Sequence, residues 1–244
     1  MLILLPPSEG KDPGGDGPPL DLGTLGFPEL TRERVRVLDA LTALCRGPVD
    51  HALAVLGLSP GRLAEVTRNR ALRDAPTLPA ARRYTGVLYQ RLDLPSLDLG
   101  RAGERVVIFS GLWGALRVDD RVPPYRLSAD VRLPGLPRTA TLWRTAVGAA
   151  LDPVTGLVVD LRSAGYASMW PGGDRTTAIR VVRDRAGRRT VVSHMAKATR
   201  GDVARTLLLS GEDPRTPSEL IDLLKEHGWA AEPGDGAITV VVGD

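Results

Sequence analysis

The amino-acid sequence predicts an α/β domain with a mixed sheet, α+β being the alternative, and three observations lead there. Short continuous apolar runs at Met1–Leu5, Arg105–Phe109, Gly156–Leu161 and Ala237–Val242 have the length and composition of buried strands. Between them lie segments whose apolar residues recur at helical spacing. A further pair of runs, Thr177–Asp184 and Arg189–His194, flanks Arg185-Ala186-Gly187-Arg188 as a hairpin with its turn at Ala186-Gly187. No internal repeat and no linker divides the 244 residues, so 1–244 reads as a single domain.

Each element has a local cause. Met1–Leu5 ends at Pro6-Pro7, which cannot continue a ladder, and leads into the loop Ser8–Pro19. The Gly/Pro-rich part of that loop, Asp12–Pro19, has too few apolar side chains to pack and is expected to be mobile. Thr31 reads as the N-cap of a helix over Arg32–Arg46, with Val35, Leu38, Ala40, Leu41 and Leu44 on one face. His51–Leu58 and Pro60–Ala71 read as two helical segments joined by a tight Gly57–Gly61 connection. Ala80–Leu92, Leu142–Leu151, Ala196–Leu209 and Pro217–His227 complete the expected helices.

Composition narrows the functional classes. A lone Cys45 excludes an internal disulfide framework and any cysteine-rich zinc site. The apolar runs fall far short of the roughly 20 residues that span a bilayer, so no membrane segment is expected. The start lacks a basic stretch followed by an apolar one of signal-peptide length; no cleaved leader is expected, and the cytoplasm is the expected compartment. The net charge of +3 permits phosphate or nucleic-acid partners without demanding them. Lysine occurs only at positions 11, 197 and 225 among 32 basic residues, and an ammonium offers a tunable pKa that arginine does not. Lys11 and Lys197 are therefore candidates for chemistry.

Polar groups recur where the apolar strands end: Ser8 and Lys11, Ser110 and Trp113, Ser163 and Tyr166, His194 and Lys197. In open α/β sheets such ends line the ligand crevice, although strands in general end in polar loops. Arg117, Arg126, Lys197 and Arg200 would make the crevice cationic, suited to phosphate or carboxylate; the alternative for Arg117 and Arg126 is pairing with Asp119, Asp120 or Asp130 on a solvated loop. Pro123-Pro124 stiffens the approach to Tyr125 and Arg126, which suits a base or a sugar, or a rigid aromatic plug. His194 faces the same site if a helix starts there, or is a satisfied, partly buried histidine.

The common nucleotide-binding glycine motifs and the Gly-x-Ser-x-Gly elbow are absent from the sequence. Three scattered histidines, 51, 194 and 227, offer no ligand spacing, so no metal and no cofactor are expected. Residues 53–72 approach a helix-hairpin-helix pattern, with Ser59 in place of the second glycine, and Arg62, Arg68, Arg70 and Arg73 are the candidate contacts to DNA phosphates. An ordinary αα-hairpin has a similar sequence.

Taken in order, Met1–Lys11, Tyr84–Tyr89, Phe109–Arg117 with Pro124–Leu127, Val158–Tyr166 and Ala196–Gly201 resemble the YaaA family of peroxide-stress proteins over nearly the whole chain. The Ser-Gly-Leu-aromatic-Gly-x-Leu-Arg stretch followed by Pro-Tyr-Arg is the specific part. The resemblance implies a cytoplasmic protein that limits oxidative damage to DNA, binds double-stranded DNA without sequence preference through a helix-hairpin-helix-like element, and carries a cationic cleft. Residue by residue it implies site roles for Lys11, Tyr89, Ser110, Arg117, Tyr125, Arg126, Ser163, Tyr166, Lys197 and Arg200. It leaves open a second function, an enzyme acting on a nucleotide, nucleoside or other anionic small molecule, with Lys197, Lys11 and Tyr166 catalytic and Ser8, Tyr89, Ser110, Trp113, Arg117, Tyr125, Arg126, Ser163, His194 and Arg200 binding it. Two departures stand out. The lysine of the first loop sits further along, after Pro6-Pro7-Ser8-Glu9-Gly10, and Ala164-Gly165 replace acidic residues before Tyr166.

Overall fold

The computed structural model describes residues 1–185, 188–191 and 193–243, apart from the side chains at positions 101, 102, 191, 193 and 194. Five parallel strands form the centre of its main sheet: β1 (Leu2–Leu5), then β4 (Val106–Ser110) on one side and β7 (Val158–Asp160), β8 (Thr176–Arg185) and β11 (Ala237–Val242) on the other. β1 is buried along its whole length, as an apolar strand in a parallel sheet covered on both faces must be. Leu4 pairs with Val107 on one side and Asp160 on the other. The edges are antiparallel: β5 (Gly114–Leu116) on β4, β10 (Ala230–Gly234) on β11, and β9 (Arg188–Val191) beside β8.

Among the parallel strands the order is 2-1-3-4-5. The chain leaves β1 toward β4 and later returns to lay β7 on its other side, so the loops after β1 and β7 diverge. A crevice opens at that switch point, and in this architecture it is where ligands sit.

Three helices fill the first half of the long β1–β4 connection: α1 (Thr31–Arg46), α2 (Val49–Leu56) and α3 (Leu63–Arg70). Thr31 is already within the helix, and no side chain caps its start. α2 ends at Gly57 with φ +64°, and the turn to α3 runs through Pro60. The expected single helix over 80–92 is instead two, α4 (Ala80–Arg83) and α5 (Val87–Leu92). The break has a tertiary cause: Lys11 bridges to Tyr84 as in an antiparallel ladder, and Thr85 N–H donates to the Gly10 carbonyl at 3.2 Å.

The Gly/Pro-rich loop is held rather than loose. Residues Gly17–Pro19 form β2, which pairs with β3 (Pro76–Pro79), itself paired with β6 (Arg121–Val122). The buried Arg83 donates to the carbonyls of Asp12, Gly14 (2.8 Å) and Val122 (3.0 Å), while Asp16 pairs with Arg82 and Arg121. Hydrogen bonds to distant arginines replace the apolar packing that the segment lacks.

The second half follows the expected elements more closely. Helix α6 (Leu99–Arg105) precedes β4, α7 (Thr139–Leu151) precedes β7, and α8 (Ala164–Ala167) is a single turn after it. Helices α9 (Ser193–Ser210) and α10 (Pro217–Glu226) lead to the terminal hairpin β10–β11. β10 contains Pro233, which an edge strand tolerates and which hides it from a sequence pattern. The Ala186-Gly187 turn lies outside the described residues. One continuous apolar core runs from Leu2 to Val240, and among the described residues no helix is long and apolar enough to cross a membrane.

Candidate functional site

The crevice at the ends of β1 and β7 holds two adjoining cavities, about 590 and 420 Å3, which share Pro7, Ser8, Glu9 and Tyr166 as a partition. Lys11, Arg126 and Arg132 line the larger, together with the C-terminal turn of α2 (Ala54–Gly57) and Asp130. Tyr89, Ser163, Lys197 and Arg200 line the smaller, beside the start of α5. The structure thus gathers Ser8, Lys11, Tyr89, Arg126, Ser163, Tyr166, Lys197 and Arg200 from five regions of the chain.

Lys11 reaches the larger cavity despite its longer loop. Its Nζ donates to the Ser8 carbonyl at 2.7 Å and lies 4.3 Å from the Tyr125 ring centroid and 5.5 Å from that of Tyr84. Desolvation, helped by the positive charge of Arg126, pushes the ammonium down to about 7. Among the described residues no carboxylate hydrogen-bonds to the amine, although the charges of Glu65 and Glu9 oppose the shift.

Beneath Lys11 runs a buried chain of hydroxyls. Ser110 Oγ and Tyr125 Oη lie 2.6 Å apart, and Tyr125 Oη and Tyr84 Oη 2.9 Å apart. Ser110 Oγ also accepts from the Leu112 and Trp113 N–H groups, closing the turn that follows β4. Tyr84 stacks on Tyr89 at 5.2 Å, and Tyr89 Oη donates to the Pro6 carbonyl at 2.7 Å. Burial raises all three phenols well above the ordinary tyrosine range. Tyr166 is raised to about 12, also mainly by burial, so its hydroxyl stays protonated at neutral pH.

Ser110, Trp113 and Tyr125 therefore form the floor and do not line either cavity. Trp113 packs edge-on against Tyr125 at 5.9 Å, and its carbonyl accepts from the buried Arg34. Gly111 follows Ser110 in that floor because a side chain there would strike the Leu127 carbonyl, 2.6 Å from the position of a Cβ.

Arg117 lies away from the crevice. Its guanidinium stacks over Phe27 at 4.4 Å and reaches the carbonyls of Gly103 and Glu104. The Asp120 carboxylate takes the Arg117 and Gly26 N–H groups, at 2.8 and 2.7 Å, and so turns the chain there. Arg126 does face the larger cavity and pairs with Glu9 at 3.1 Å. That contact holds the Glu9 carboxyl below its ordinary range, with Lys197 and Arg62 adding to the effect. Among the described residues Arg200 Nε is buried without a hydrogen-bond partner, and its Nη2 reaches the Ile179 carbonyl at 3.4 Å. The His194 side chain lies outside the described residues.

The arginines of the hairpin differ in what they can offer. Arg70 donates to the Cys45 carbonyl, Arg73 pairs with Asp39 at 2.5 Å, and Arg68 pairs with Glu65 at 2.7 Å. Arg62, more than half exposed, lies 3.7 Å from the same Glu65. Sequence reasoning missed Glu9, Arg132 and Asn69 as parts of the site, since nothing in their spacing marks them. Among the described residues no group of three or more His, Cys, Asp or Glu side chains could hold a metal ion.

Residues 1–234 match a family model described as peroxide stress protein YaaA. The chain is 47% identical over 241 residues to a UPF0246 protein of Streptomyces coelicolor, covering 95% of this chain and 92% of that one. It is 42% identical over 251 residues to a UPF0246 protein of Corynebacterium efficiens, covering 99% and 100%, and 42% identical over 238 residues to one of Corynebacterium glutamicum, covering 95% of each.

Proposed function

Because the chain belongs to the YaaA family of peroxide stress proteins, we propose that it acts in peroxide stress by binding duplex DNA and limiting oxidative damage to it. One observation supports this reading: the α2–α3 hairpin and the crevice share a wall. The last turn of α2 lines the cavity that holds Lys11, Arg126 and Arg132. A phosphate backbone following the exposed Arg62 would pass directly to that cavity. Its contacts would be electrostatic and independent of sequence. Arg68 and Arg70, occupied by Glu65 and the Cys45 carbonyl, serve the hairpin's own shape in this reading, while Arg62, Arg126, Arg132 and Lys197 meet the DNA.

The test is duplex affinity measured across a range of NaCl concentrations. A linear fall of log affinity with log salt is expected, and Arg126→Ala or Arg132→Ala should each flatten the slope by about 1. Absence of measurable duplex binding at low salt, or a slope untouched by both variants, overturns the reading. A second function, an enzyme acting on an anionic small molecule, is favoured by the enclosed amine of Lys11 above its tyrosine floor.

A further inference from the structure

We propose that Lys11 is an imine-forming lysine: its Nζ condenses with an aldehyde or ketone in the larger cavity, on a ligand whose phosphate rests against Arg126 and Arg132. Three features of the site support this. The amine opens onto a cavity large enough for a sugar phosphate or one nucleotide unit. It is held by the Ser8 carbonyl, which accepts one of its hydrogens at 2.7 Å and so orients the rest of the group. Its other near neighbours are the faces of Tyr125 and Tyr84, while the Glu9 and Glu65 carboxylates, which favour the ammonium by charge alone, are outweighed by desolvation and by Arg126. A nucleophilic amine must be neutral, and burial brings Lys11 into the range where a large share of it is neutral at pH 7.

The step balances without any added oxidant or reductant. The Nζ lone pair attacks the carbonyl carbon, and the C=O π pair moves to oxygen, which takes a proton. The nitrogen gives up two protons in all as the C=N bond forms and the oxygen departs with two, so one water leaves and any group that lends the oxygen a proton recovers it from the nitrogen. Tyr166, which lines the cavity and stays protonated, is placed to donate to that leaving oxygen. Arg126 and Arg132 hold the phosphate, and Glu9 must give up its contact with Arg126 for this to happen.

An aldehyde beside a phosphate has two sources: a free sugar phosphate, or the ring-opened abasic site of damaged DNA. The inference goes beyond the DNA-binding reading, since the first source involves no DNA.

The experiment is reductive trapping of the full chain with sodium cyanoborohydride at pH 7. One arm uses glyceraldehyde 3-phosphate, the other a duplex oligonucleotide carrying one abasic site, and peptide mapping locates the adduct. We expect a single adduct on Lys11, favoured over Lys225 by roughly tenfold or more, in at least one arm. Trapping only with the oligonucleotide assigns the DNA source, and trapping only with the small molecule assigns the free one. Lys11→Arg, which keeps the charge but forms no imine, should abolish the adduct, while Lys225→Ala should retain it. No adduct in either arm, or one spread over Lys197, Lys225 and the N-terminus as in denatured protein, overturns the proposal. Mapping on the wild-type chain decides the matter even if the Lys11 variants fold poorly. Duplex binding measured in parallel keeps a failure of trapping distinct from a failure to bind DNA.

Discussion

Asn69 grips Arg126 by both polar groups of its backbone: Asn69 Nδ2 donates to the Arg126 carbonyl and Asn69 Oδ1 accepts the Arg126 N–H, each at 2.9 Å. Asn69 is fully buried on α3, so the helical hairpin sets where the Arg126 side chain enters the crevice. Asn69→Ala should cost about 1–3 kcal/mol of stability, because two buried backbone groups lose their partners. It should also weaken ligand or DNA binding in the same direction expected for Arg126→Ala, although Asn69 itself need touch no ligand. Chemical denaturation and affinity measured on the same variant check both effects.

Glu9 offers a contrasting case. Its carboxylate occupies the Arg126 guanidinium at 3.1 Å and is itself largely exposed. An incoming phosphate must displace it. Glu9→Gln should therefore tighten duplex binding and steepen its salt dependence, while leaving the melting temperature nearly unchanged. Weaker binding by the variant would assign Glu9 a positive role instead.

Lys11 predicts a pH signature. Its folded pKa of about 7 lies below the ordinary 10.5, so the unfolded chain binds more protons between those values. Stability contributed at this position is lowest at and below pH 7 and rises as pH climbs toward 10.5. Lys11→Met removes that slope. Apart from a constant offset, the melting temperature of the variant relative to wild type should fall steadily from pH 7 to pH 10.

The switch-point strand carries a buried ion pair, Asp160 with Arg162 at 2.7 Å, and the Arg162 guanidinium lies 4.1 Å from the Phe109 ring centroid. Arg162 also donates to the Trp170 carbonyl at 2.8 Å. Removing one partner leaves a buried charge alone, so Asp160→Ala should destabilise by about 3–5 kcal/mol. Denaturant unfolding is the measurement, and a loss below 1 kcal/mol would show that water reaches the pair.

Cys45 bears on how the chain meets peroxide. It is buried in α1, and burial raises its thiol above the ordinary range. The thiolate is the form that attacks peroxide. Native protein exposed to hydrogen peroxide should show unmodified Cys45 by mass spectrometry, and Cys45→Ser should keep DNA binding intact. Rapid sulfenic acid formation in the native state would contradict this.

Much of the architecture was legible because local patterns suffice for it. β1, β4, β7 and β11 are apolar runs that can only be satisfied inside a sheet, and α1, α7 and α10 carry a periodic face or a Pro start. Elements that rest on partners far away in sequence were not legible. β2, β3 and β6 are two to four residues each and exist through pairing and the carbonyl bonds of Arg83. The break at Tyr84-Thr85-Gly86 exists because the Lys11 loop crosses it.

The same division holds for the site. The strands, the polar groups at their ends and the scarcity of lysine that marks Lys11 and Lys197 can be read from the amino acids in order. Which of those groups face a common space follows from the packing. It turned Arg117 onto Phe27, sank Ser110, Trp113 and Tyr125 into the floor, and brought Glu9, Arg132 and Asn69 to positions no motif marks. Apolar periodicity is set by neighbours along the chain, whereas a side chain's direction and desolvation depend on whatever the fold packs against it, here residues far away in sequence, 57 positions for Asn69 and Arg126 and 83 for Pro6 and Tyr89.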